Sequence, residues 1–79
     1  MIRFRLKELI ADKEFKEGRR ITLAEIALET GLHRATLSKL ANQKGYNATT
    51  DVLDKLCIYF DVDVGDVAKH ISETDIPEK

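Results

Sequence analysis

Hydrophobic positions change period early in the chain. Ile2, Phe4 and Leu6 alternate with Arg3, Arg5 and Lys7, a two-residue period that predicts a short extended segment. From Leu6 onward, Leu6, Leu9, Ile10 and the stem of Lys13 fall on one helical face, so a first helix is expected over about residues 5–15. Glu14–Ile21 then reads as a polar link with a turn signal at Gly18, carrying Lys16, Arg19 and Arg20 in a loop.

Thr22 followed three residues later by Glu25 is a capping box, in which the hydroxyl accepts from an orphan N–H and the carboxylate reaches back. A helix is therefore expected to start here, with Leu23, Ile26, Ala27 and Thr30 on one face and Glu25 and Glu29 turned away. Gly31 supplies the left-handed residue that ends a helix cheaply. Only Gly31, Leu32 and His33 intervene before the next helical pattern, where Leu37, Leu40 and Ala41 occupy one arc and Arg34, Ala35, Thr36, Ser38, Lys39, Asn42 and Gln43 the other. Two helices joined by so short a Gly-containing turn cross steeply, and residues 22–43 read as a helix-turn-helix.

Lys44–Ala48 is expected to loop into a fourth helix of about residues 51–60, capped by Thr49 or Thr50 and burying Val52, Leu53, Leu56, Cys57 and Phe60, with Ile58 on the opposite side. Asp63 and Asp66 suggest a further cap, opening a fifth helix that buries some of Val64, Val67, Ala68 and Ile71. The expected organisation is one all-α, five-helix domain over residues 1–72, preceded by a short extended stretch, and a flexible tail over 73–79.

A composition of 43% hydrophobic and 34% charged residues suits one small core with a wet surface. The net charge of −1 conceals an asymmetry. Residues 1–45 hold ten Lys/Arg against six acids, and residues 46–79 hold three against eight. Such a chain can present its basic half to a polyanion and turn its acidic half away. The lone Cys57 precludes an internal disulfide and reads as a small buried hydrophobe. The apolar run of a secretion signal or membrane span is missing, so a cytoplasmic location is expected. His33 and His70 lie far apart, with no metal-ligand spacing, no Gly-rich phosphate loop and no nucleophile–base pairing, so neither an enzyme, a metal site nor a cofactor is expected.

The segments Thr22-Leu23-Ala24-Glu25-Ile26-Ala27 and Gly31-Leu32-His33-Arg34-Ala35-Thr36-Leu37-Ser38 resemble the Cro/Xre-type helix-turn-helix regulators, which include phage repressors and small bacterial transcription factors. Leu53–Cys57, Phe60–Val62 and Val64–Val67 follow the same pattern, and the likeness runs from about Leu6 to Ile71. It implies a compact repressor-like domain that occupies a double-stranded DNA operator. Leu23 stands where many members have Gln, and His33 where they favour Ser.

Docked in that way, the helix beginning at Arg34 reads the major groove. Arg34 can fork onto guanine O6 and N7, Ala35 can touch a thymine methyl, and Thr36, Ser38 and Lys39 complete the expected base-reading set. Thr22, His33, Asn42, Gln43 and Lys44 are expected on the sugar-phosphate backbone. Homodimerisation is expected from two-fold operators, through Ile58, Tyr59 or Ile71, or by strand pairing of Ile2–Arg5. The alternative is a protein-interaction module, such as an antitoxin that meets its toxin through the acidic C-terminal portion.

Overall fold

A computed structural model describes residues 1–43 and 45–72. In chain order the elements are β1 (Ile2–Phe4), α1 (Leu6–Glu17), α2 (Leu23–Thr30), α3 (Arg34–Asn42), α4 (Thr50–Phe60), α5 (Val64–Val67) and β2 (Ala68–His70). Five helices thus carry most of the chain, and the only sheet among the described residues is the antiparallel pair β1–β2. The tail expected over 73–79 and the backbone contact expected of Lys44 lie outside the described residues.

Each helix sends at least one side chain into a common core. Leu6 and Leu9 come from α1, Ile26 from α2, Leu37 and Leu40 from α3, Leu56 from α4 and Val67 from α5, with Ile21 entering from the α1–α2 link. Leu6, Ile26 and Leu37 are fully buried. This is the arc the apolar spacing predicted for α3, and it leaves the polar arc outside. Helix α2 packs against α3 and α4, α1 against α3, and α4 against α5.

Two boundaries differ from the sequence reading. The first helix runs on to Glu17, where Gly18 closes it at φ 66° with its N–H donating to the Glu14 carbonyl. A Lys13–Glu17 pair at 2.8 Å, one turn apart, supports that last turn. Lys16 therefore rides on α1 rather than in a loop, and the link shrinks to Gly18–Thr22.

The fifth helix is also only one turn long. Instead of continuing through Ala68 and Ile71, the backbone extends, and Ile2, Arg3 and Phe4 pair with His70, Lys69 and Ala68. Arg5 N–H to the Val67 carbonyl and Ile71 N–H to the Met1 carbonyl, both 2.8 Å, extend the ladder at either end. Gly65 and two valines make a poor helix, whereas β1 offers a row of unpaired backbone groups that only a strand can satisfy. Val67 stays buried, but Val64 is 55% exposed.

Leu37 is the side chain that holds α3 down, so its truncation tests the core. Leu37→Ala should cost about 2–5 kcal/mol, a large fraction of what a chain this size possesses. The expected readout is a lower urea midpoint with an unchanged denaturant slope.

Candidate nucleic-acid interface

Thr22 caps α2 in extended backbone, its Oγ1 accepting from the Glu25 N–H at 3.1 Å. The other half of the expected box is used elsewhere, because the Glu25 carboxylate takes a two-pronged bond from the Arg19 guanidinium at 2.7 and 2.9 Å. At the far end Gly31 adopts φ 78° and donates its N–H to the Ala27 carbonyl. Thr30 secures the turn. Its hydroxyl donates to the Ile26 carbonyl at 2.7 Å and accepts from the Leu32 N–H at 3.2 Å. The helix backbone and the turn are tied through one side chain.

His33 occupies the cap position of α3 in extended backbone but makes no capping bond, and its ring is exposed. The first turn of α3 therefore meets solvent without a side-chain acceptor. With about 100° between successive residues, Ala35, Lys39 and Asn42 lie at the middle of the face opposite Leu37 and Leu40. All three are exposed. Arg34 and Ser38 flank that strip on one side, and Thr36 and Gln43 on the other. Arg34 and Gln43 are exposed, whereas Thr36 and Ser38 are half-buried. Asn42 Nδ2 donates to the Ser38 carbonyl at 3.0 Å, with Ser38 Oγ at 3.5 Å, so those two side chains act as a unit. Lys39 Nζ stands 5.8 Å from the centre of the Tyr46 ring.

The cations of the basic half divide into two groups. Arg3 pairs with Glu8, Lys13 with Glu17, and Arg19 with both Glu17 and Glu25. Arg34 and Lys39 make no ion pair among the described residues, nor do Arg5, Lys7, Lys16 and Arg20. Charge is thus left open on α3, whereas in the link to α2 Arg19 is neutralised and Arg20 is not.

The residues expected at a dimer contact do not share one face. Ile58 is 72% exposed on α4. Tyr59, next along the helix, turns inward, with the Lys13 ammonium 5.0 Å from its ring centre and the Phe60 ring at 4.8 Å in an edge-on contact. Its hydroxyl is buried without a hydrogen-bond partner among the described residues, and that burial pushes its pKa up. Ile71 is half-buried and its backbone extends the sheet to Met1. The β1 segment proposed for pairing between copies has one edge taken by β2 of its own chain.

On the acidic side an open cleft of about 520 Å³ runs between α4 and α5, lined by Thr50, Asp51, Leu53, Asp54, Cys57 and Val64. Burial and the Asp54, Asp63 and Asp66 carboxylates push the Cys57 thiol up, keeping it protonated at neutral pH. Among the described residues there is no cluster of His, Cys, Asp or Glu placed to hold a metal, and no helix long and apolar enough to cross a membrane.

Two residues of consequence carry little sequence signal. Thr30 reads as one more residue on the inner face of α2, although a Thr at the last helical position beside a Gly can bond back to the preceding turn. Arg19 lies six residues from Glu25, a separation that no helical or strand period selects.

Residues 5–73 match the family described as the Cro/C1-type helix-turn-helix (HTH) DNA-binding domain. No curated protein matches the chain.

Two measurements test this geometry. Thr30→Val removes the hydroxyl and strands the part-buried Leu32 N–H, so it should lower stability by about 1–3 kcal/mol, while Thr30→Ser should stay close to the parent in thermal melts. Lys13 holds the Glu17 carboxyl below the usual range and Arg19 does the same for Glu25. Each carboxylate therefore stabilises the folded chain fully above the ordinary value of 4.5 and loses that contribution as pH falls through its lower folded pKa. Melting temperature should hold from neutral pH to about pH 4.5 and then drop, and Arg19→Gln should make the acid drop shallower.

Proposed function

Because the chain belongs to the Cro/C1-type helix-turn-helix DNA-binding family, a family of transcription regulators, we propose that it acts as a repressor, its own gene included, by laying α3 in the major groove of a two-fold operator as a homodimer. The carrying observation is the division of α3. Leu37 and Leu40 bury its inner face, while Arg34, Ala35, Lys39 and Asn42 stand exposed. A helix anchored on one side and polar on the other fits a groove about 12 Å wide.

Arg34, in the first turn, enters deepest and forks onto a guanine; Ala35, Thr36, Ser38 and Lys39 line the neighbouring base edges. Thr22, His33, Asn42, Gln43 and Lys44 hold the phosphates on either side, the first two from positions at the N-terminal ends of α2 and α3. Of the three apolar residues expected between copies, Ile58 is the one solvent reaches freely, and it supplies the two-fold contact. Action on chromosomal or phage DNA places the protein in the cytoplasm.

The acidic cleft favours a second reading, in which α4 and α5 receive a basic partner protein such as a toxin while α3 remains on DNA or serves as scaffold. A scaffold alone shows no salt-dependent affinity for DNA, whereas an operator binder weakens steeply as salt rises.

The deciding experiment is a fluorescence-anisotropy titration of the DNA upstream of the gene against random duplex, at two salt concentrations. The wild type should prefer the upstream DNA. Arg34→Ala should lose about 1–3 kcal/mol and relax the preference at one base pair of each half-site. Equal affinity for both duplexes refutes autoregulation, and an unchanged preference in Arg34→Ala refutes the role given to that residue.

A further inference from the structure

We propose that Arg19 is a positioning residue for DNA reading: it fastens the first turn of α2 to the end of α1 and thereby sets the angle at which α3 meets the groove. This inference rests on the DNA-binding reading above.

Packing leaves that turn in need of a fastening. Helix α2 lies on α3 and α4, and α1 lies on α3, but the chain between α1 and α2 is only Gly18–Thr22. Two devices cross this gap. The Ile21 N–H donates to Glu14 Oε2 at 2.8 Å, which anchors the link, and Arg19 spans Glu17 on α1 and Glu25 in the first turn of α2. The guanidinium meets Glu25 through both terminal nitrogens at 2.9 and 2.7 Å and Glu17 through Nε at 3.0 Å, so all three of its nitrogens are committed.

An exposed ion pair is ordinarily worth little, and a two-pronged Arg–carboxylate contact inside a network is the exception. Glu17 is shared with Lys13 at 2.8 Å, and Lys13 lies over the Tyr59 ring, so the chain of contacts reaches α4 as well. The four charges cancel, two against two. Arg19 consequently adds geometry to the interface without adding attraction for phosphate. Arg20, one residue on and likewise exposed, has no ion pair among the described residues and cannot substitute for it.

Base contacts depend on angle and distance, whereas attraction to phosphates depends mainly on charge. Loosening the brace should therefore reduce discrimination between sequences more than it reduces affinity for DNA in general. A loss of folded protein would lower both in proportion and leave their ratio unchanged.

The test uses a duplex selected by the wild-type protein from a random-sequence pool, with unselected duplex as reference. Both are titrated at two salt concentrations with wild type, Arg19→Ala, Arg19→Lys, Glu25→Gln and Arg20→Ala, and each protein's melting curve is recorded. Arg19→Ala and Glu25→Gln should each lower the selected-to-random affinity ratio about fivefold or more while the salt slope stays at its wild-type value. Arg19→Lys should recover only part, since one ammonium cannot span both carboxylates. Arg20→Ala should keep the wild-type ratio. A wild-type ratio in Arg19→Ala overturns the proposal, as does a salt slope shallower by about one, which would place Arg19 on a phosphate. Failure of the wild type to select any duplex brings down the DNA-binding reading itself, and this inference with it.

Discussion

The turn between α2 and α3 has three residues in which to bring two helices into contact, and the rest of the molecule is arranged to let it do so. Gly31 takes the positive φ, and Thr30 ties the turn back to the helix it ends. Once the two helices are joined in this way, Ile26 and Leu37 share the core and the outer face of α3 is determined by exclusion. The polar residues of α3 face solvent because their apolar neighbours are spoken for. The composition of that outer face is a by-product of packing geometry.

Electrostatics works on that scaffold by subtraction. The basic half of the chain holds its surplus in sequence, but several of its cations are neutralised by carboxylates close at hand. Among the described residues of that half, what remains open lies on α3, at the α1–α2 corner and at Arg5 and Lys7 where α1 starts, while Asp51, Asp54, Asp63 and Asp66 gather around α4 and α5. A polyanion approaching this molecule is therefore oriented before it makes contact.

Much of this was legible from spacing alone. The caps at Thr22 and Thr49, the stop at Gly31, the buried arc of α3 and the outward Ile58 all follow from local rules, because each depends on residues within one or two turns. The features that escaped are those set by contacts that no helical or strand period selects. Ala68–His70 has a helical pattern and became a strand because β1 lay waiting for it. Glu25 has the spacing of a capping box and was captured by Arg19. Tyr59 reads as surface next to Ile58, and is drawn inward by Lys13 and Phe60. The face of α3 was readable as a set of residues, but the brace that aims it was not.

The small sheet has a consequence for how the protein is made. Its first strand leaves the ribosome ahead of α1 and its second only after α5, so the two partners are separated by all five helices described. Throughout synthesis β1 carries open backbone groups and the apolar Ile2 and Phe4 with nothing to pair them. The helix-turn-helix can assemble on the nascent chain from contacts close in sequence, which form quickly. Closure of the sheet waits for residues 68–70, so the protein passes each time through a stage in which α1 to α5 have been made and β1 is still an open strand.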